Sequence, residues 1–245
     1  MSGHSKWSTI KRKKEKTDQQ RAKIFTKIGR ELAVAVREGG SADPNANTKL
    51  YDVIQKAKQN NVPNDNIDRI IKKAAGEGDS SSYEEAAYEG YGPSGVAVIV
   101  KALTDNKNRT AADLRHYFDK YGAGLGTQGC VSFLFTDTGM IVILKGNIDE
   151  DKLMEDALEA GATDFQASDE AFEISTDPAD LRAVTEALTQ KGYAIESSEQ
   201  DKIPATTVTI TAPELFIKME KLIEMLEDND DVQEIFHNWD VPEEE

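Results

Sequence analysis

The sequence predicts an α+β protein: an N-terminal three-helix domain followed by two ferredoxin-like α/β domains, one inserted into the other. Three observations lead there. Apolar residues recur at three- and four-residue steps through residues 18–76. From residue 83 onward, short β-branched runs alternate with helical patterns. Between these regions GEGDSSS, residues 76–82, is acidic and rich in glycine and serine, as a linker is.

The helices come first. Over 18–38, Ala22, Phe25, Ile28, Leu32, Ala35 and Val36 form one apolar face, and Gly39-Gly40 supplies the stop. A second helix fits 46–60, with Leu50, Val53, Ile54 and Ala57 inward, and Asn60-Asn61-Val62-Pro63 breaks it. Asn64 or Asp65 caps a third, with Ile67, Ile70, Ile71 and Ala74 inward and Gly76 at its end. Arg69, Lys72 and Lys73 point outward, and the outline resembles a helix-turn-helix as many three-helix bundles do.

The α/β part reads as strand 83–91, strand 96–103, helix 109–121 and strand 131–135. Strand 140–144, helix 149–160, strands 164–168 and 171–175, helix 178–191 and strand 193–199 follow. Strand 206–211, helix 213–227 and strand 232–238 complete it; Thr211-Ala212-Pro213-Glu214 has the form of a capping box. Residues 140–199 spell βαββαβ, one ferredoxin-like unit, and the flanking βαβ pieces join into a second. The expected domains are therefore 1–77, a discontinuous 78–136 with 206–245, and an inserted 137–205.

Charge is distributed unevenly along this chain. The formal net charge is -16, yet Ser2 to Arg37 holds eleven Lys or Arg against three Asp or Glu. Residues 1–76 sum to +9 and residues 77–245 to -25. Such asymmetry points to a polyanionic partner for the N-terminal part. Residues 2–16 lack apolar periodicity and read as a mobile tail. In it Trp7 either docks on a neighbouring domain or stacks on a base, with Lys6, Lys11, Arg12, Lys13 and Lys14 on phosphates. Arg21, Lys23, Lys27 and Arg30 continue the basic stripe along the first helix. Thr104 to Thr110, TDNKNRT, forms a second polar surface through Asp105, Asn106, Lys107, Asn108 and Arg109, extended by Arg115; capping of the next helix explains part of it.

Other chemistry is not signalled. Hydrophobic residues at 38% and charged residues at 30% suit a soluble globular chain, and no apolar run is long enough to span a membrane. The basic N-terminus has no apolar region behind it, so a cytoplasmic location is expected. Cys130, the single cysteine, sits in the apolar run GCVSFLF and is expected to be a buried small hydrophobe. Gly124-Leu125-Gly126-Thr127-Gln128-Gly129 matches GxGxxG but follows a helix and precedes a strand, the reverse of a dinucleotide site. A glycine turn approaching another domain is the better account. Asp228-Asn229-Asp230-Asp231 puts Val232 and Gln233 where a calcium loop needs a ligand and glycine, so it reads as a helix-to-strand turn. No nucleophile has a base beside it, and neither enzyme activity, cofactor, metal nor small-molecule substrate is expected.

Several stretches also carry a resemblance: SGHSKWSTIKRKK, DPNANTKL, NVPNDNIDRIIKKA, YEGYGPSGVAVIV, LTDNKNRTAADLRHYF, GCVSFLF, EAGATD and LEDNDDVQEIFHNWD. Together they resemble the YebC family, which includes the mitochondrial translational activator of cytochrome c oxidase. Cys130 departs from the pattern, where a small residue such as Ser is expected. The resemblance implies a three-domain cytoplasmic protein without catalytic activity. It implies a nucleic-acid-binding regulator of gene expression, acting on RNA and the ribosome as a translation factor or, alternatively, on DNA as a transcriptional regulator. The expected partners are ribosomal RNA or DNA and the ribosome, with the chain a monomer.

Overall fold

The structure is a computed structural model that describes residues 6, 7, 10, 11, 18–76 and 83–240. Arg12, Lys13, Lys14 and residues 77–82 of the linker expected at 76–82 lie outside the described residues. The elements are α1 (Asp18–Glu38), α2 (Thr48–Gln59), α3 (Asn64–Ala75), β1 (Glu84–Tyr91), β2 (Ala97–Thr104), α4 (Lys107–Tyr121) and β3 (Gly124–Leu125). Then come β4 (Phe135–Leu144), α5 (Glu150–Ala160), β5 (Asp164–Ala167), β6 (Ala171–Thr176), α6 (Leu181–Gln190) and β7 (Ser197–Pro204). The chain closes with β8 (Val208–Thr209), α7 (Pro213–Asp228), β9 (Val232–His237) and β10 (Trp239–Asp240). Helices and antiparallel sheets make this an α+β fold. None of the described helices is long and apolar enough to cross a membrane.

Two compact units result. The larger draws on the described residues of 16–134 and on 206–240, the smaller on the described residues of 1–15 and on 135–205. In the larger, α1 crosses α2 and α3 over a core of Ile28, Leu32, Ala35, Val36, Leu50, Ala57, Val62 and Ile67. The turn after α1 is specified closely. Asn47 caps α2 by accepting from the Leu50 N–H, and its amide donates to the carbonyls of Ala35 and Ser41. A Cβ on Gly39 would lie 2.3 Å from that amide, so only glycine fits there. Ala22, expected inward, is exposed, and Ile24 packs on the core instead.

The sheet of the larger unit runs β3-β1-β2-β9 with antiparallel neighbours. Ala97 to Val100 of central β2 are all buried, so this strand is covered on both faces and shows a continuous apolar run instead of alternation. Residues 131–135, expected to be a strand, instead form a 3-10 turn at 132–134. The reason is Glu89, whose carboxylate accepts the N–H groups of Gly129, Val131 and Ser132, at 2.8, 2.8 and 2.9 Å, and removes them from any ladder. The expected strand 206–211 shrinks to β8, which pairs in parallel with β10.

The smaller unit is ferredoxin-like. Its strands lie in the order β5-β6-β4-β7, all antiparallel, the pairing that a βαββαβ chain gives in this fold. One face of the sheet packs Ile141, Ile143, Phe172 and Ile174 against Leu153, Ala157, Val184 and Leu188 of α5 and α6. By the period of two, Met140, Val142 and Ala171 form a separate apolar cluster on the opposite side of the pleat. β4 starts five residues before the expected Met140 because Phe135 to Gly139 pair with Gln200 to Pro204. The same pairing carries β7 beyond the expected 193–199.

Candidate nucleic-acid interface

The TDNKNRT segment folds around one buried carboxylate. Asn106 caps α4, its side chain accepting from the Arg109 N–H, which moves the helix start to Lys107 from the expected 109. The hydroxyls of Thr104 and Thr110 donate to Asp231 at 3.2 and 2.8 Å. Arg109 donates to the same carboxylate at 2.7 Å and to Asp105 at 2.8 Å. Arg30, from α1, reaches Asp231 at 3.0 Å and the Asp230 carbonyl at 2.7 Å. The Asp231 side chain is 6% exposed. Burial pushes its carboxyl up, but Arg109 and the threonine hydroxyls outweigh this and hold it below its ordinary range. A polar cleft of about 360 Å³ opens here, lined by Arg30, Asp105, Arg109, Asp113 and Asn229 to Asp231. Lys107 pairs with Glu84, while Asn108 and Arg115 are exposed on α4.

The rest of the basic stripe on α1 follows Arg30. Lys23 pairs with Asp228 at 2.8 Å, and the Lys27 ammonium donates to the Glu227 carbonyl at 2.7 Å. Both meet the C-terminal turn of α7, where free carbonyls and the helix dipole favour cations. These three residues, expected on phosphate, thus lie against the 227–231 turn. Sequence reading recognised that turn but not its role as a cation acceptor. Arg21 is exposed, as are Lys58 on α2 and Arg69, Lys72 and Lys73 on α3.

Near the N-terminus, the described residues Lys6, Trp7, Ile10 and Lys11 are helical and lie on the smaller unit. At these four residues the structure departs from the mobile tail expected over 2–16; the rest of that stretch lies outside the described residues. Trp7 and Ile10 pack on Met140, Val142 and Ala171. The indole N–H donates to Glu170 at 2.6 Å and the Trp7 main-chain N–H to Glu173 at 2.9 Å. The Lys6 ammonium sits between Glu199 and Asp201, at 2.8 and 2.9 Å, with its side chain 11% exposed. Burial alone would lower the Lys6 pKa, but the two carboxylates raise it above its ordinary value. Lys11 meets Glu170 at 2.7 Å, and hydrogen bonds from Lys11 and Trp7 lower the Glu170 pKa. Of the two options that the sequence leaves for Trp7, the geometry shows docking. The signal for it was Ile10, the apolar partner at the next helical turn.

The GxGxxG stretch forms a strand edge and a turn. Gly124 and Leu125 form β3 on the edge of β1, and the Gly126 N–H donates to the Glu89 carbonyl. Its close approach is therefore to a strand of its own unit. Burial pushes Glu89 up, but three main-chain N–H groups prevail and lower it. Cys130, expected to be buried, is half-buried at this turn, and burial followed by the Glu89 charge raises its thiol pKa. Among the described residues, no group of three or more His, Cys, Asp or Glu is placed to hold a metal.

Comparison with known proteins identifies the family. Residues 5–77 match the TACO1/YebC protein N-terminal domain, and residues 83–239 match the TACO1/YebC second and third domain. A protein of Acetivibrio thermocellus named "Probable transcriptional regulatory protein" is 58% identical over 240 residues, covering 98% of this chain and 99% of the relative. One of the same name from Ruminiclostridium cellulolyticum is 58% identical over 245 residues, covering 100% and 98%. The crystal structure of Aq1575, a conserved hypothetical protein from Aquifex aeolicus, matches with a TM-score of 0.82 at 44% identity over 94% of each chain. The chain belongs to the TACO1/YebC family.

Proposed function

We propose that this protein is a non-enzymatic, nucleic-acid-binding regulator of gene expression that acts in the cytoplasm, as a monomer, on RNA and the ribosome as a translation factor. One observation carries the reading. A chain of net charge -16 keeps a net +9 in residues 1–76, set against -25 in the remainder. Such a division orients a protein on a polyanion, with the basic part inward and the acidic part directed at solvent or basic proteins. The proposed contacts are Lys11, Arg12, Lys13, Lys14 and Arg21, with Lys23 and Lys27 at the edge of the same stripe. Arg30, joined to buried Asp231, serves the fold instead. The exposed Asp105 to Arg109 and Arg115 supply the second surface.

A DNA-binding transcriptional regulator is the second reading. The names of the relatives favour it. So does the short turn between α2 and α3, with Asn61 at φ 57°, after which α3 exposes Arg69, Lys72 and Lys73. Sedimentation of the protein with cell lysate through sucrose gradients separates the two. Co-migration with ribosomes that fades as salt rises is the expected outcome. A protein that stays at the top and shifts a promoter fragment at moderate salt would transfer the assignment to DNA.

A further inference from the structure

The face of the smaller sheet turned away from α5 and α6 is occupied by the chain itself. Met140, Val142 and Ala171 make an apolar bed under Trp7 and Ile10. Carboxylates rim the bed and take every described cation of the segment: Glu199 and Asp201 hold Lys6, and Glu170 holds Lys11. Glu170 also accepts from the indole N–H, and Glu173 from the Trp7 main-chain N–H. Each of these contacts has an equivalent in a single strand of nucleic acid. The flat apolar bed corresponds to a base, and the carboxylate oxygens to phosphate oxygens. The Trp7 ring face and its single indole N–H can serve only one set at a time, because the same atoms are used.

We propose that this acid-rimmed sheet face is a seat for the segment carrying Lys6, Trp7, Ile10 and Lys11, and that single-stranded RNA competes with the seat for that segment. The proposal rests on the reading of the protein as a nucleic-acid binder. Release begins at the outer contact, because Lys11 and Glu170 are both about half exposed and such a pair is weak. Lys6, with its side chain 11% exposed between two carboxylates, leaves last. Binding of RNA to the full chain therefore has to overcome the seat, and weakening the rim should strengthen binding.

The test uses the full chain and a short oligouridylate, with affinity read by anisotropy. Tryptophan emission is the second readout; the other of the two tryptophans, Trp239, is buried. The variant Glu170→Gln/Glu173→Gln is expected to bind about three- to tenfold tighter than wild type, the range set by removing one or two charge-assisted hydrogen bonds. The control Asp151→Asn/Glu155→Gln removes two exposed acidic residues from α5 and should stay within about twofold of wild type. Emission of the wild-type protein should move to the red as RNA saturates it. If circular dichroism shows that the double variant is unfolded, Glu170→Gln alone is measured, with a gain of about two- to threefold expected. Equal affinity of wild type and rim variant, or an equal gain in the control, overturns the competition and leaves the nucleic-acid reading intact. An emission spectrum that does not move does the same. No binding by any variant at low salt overturns both.

Discussion

Arg30 and Lys6 come from one basic stretch and both meet carboxylates, yet their surroundings differ. Arg30 meets Asp231, whose side chain is 6% exposed and is also held by Arg109, Thr104 and Thr110. Lys6 belongs to a short segment whose neighbours Trp7 and Lys11 depend on Glu170, half exposed at the rim of a sheet. In the first region the carboxylate is buried and every contact supports the others, so removing it strands several donors at once. In the second the contacts grade from the half-exposed Lys11–Glu170 pair to Lys6, 11% exposed between two carboxylates. Charge alone, counted along the sequence, does not distinguish these situations; burial of the acidic partner does.

The strongest way to break this comparison is Asp231→Ala. It should lower unfolding free energy by about 3 kcal/mol, read by urea titration, because Arg30, Arg109 and two threonine hydroxyls each lose an acceptor at once. The effect has a pH sign. A carboxyl held low in the folded state contributes fully above its ordinary pKa, so the difference between wild type and variant should shrink as pH falls below about 4. A constant difference down to strong acid would mean the charge of Asp231 is not what matters. Glu89→Gln comes next, at about 2 kcal/mol, since an amide cannot serve all three N–H groups of Gly129, Val131 and Ser132. Amide exchange at those positions should quicken in the variant. Protection equal to wild type would show that the turn holds without the carboxylate.

On the other side of the comparison, Trp7→Ala should cost about 1–2 kcal/mol, less than a fully buried tryptophan because Trp7 is half-buried. A loss as large as that of Asp231→Ala would make the seat a fixed part of the core. Lys23→Ala should cost less than about 0.5 kcal/mol, because both it and Asp228 are well exposed. A thermal melt indistinguishable from wild type is the expected reading.

Much of this was legible in the chain. The periodicity that placed Ile28, Leu32 and Ala35 inward was strong because α1 packs through one face. The βαββαβ order of the smaller unit followed from element type alone. The missed features share one cause: partners far apart in sequence. Nothing near Val131 to Phe135 reveals that Glu89, some forty residues earlier, takes their N–H groups. Nothing near Trp7 reveals Glu170 and Glu173. The TDNKNRT segment was legible as a cap and a polar surface, but Asp231, which gathers it, comes from the other end of the chain. Asp228 to Asp231 read correctly as a turn, while their role as acceptors for α1 needed the fold.

The central claim, that the basic N-terminal part binds a polyanion, is tested most directly by measuring affinity of the full chain for single-stranded RNA across a salt series. The same series is run on the variant Lys11→Ala/Arg12→Ala/Lys13→Ala/Lys14→Ala. The account predicts binding that weakens steeply with salt in the wild type. The slope should be shallower by roughly 3 in the variant, at about 0.7 for each phosphate no longer neutralised. Equal slopes for the two proteins, or no binding even at low salt, would contradict it.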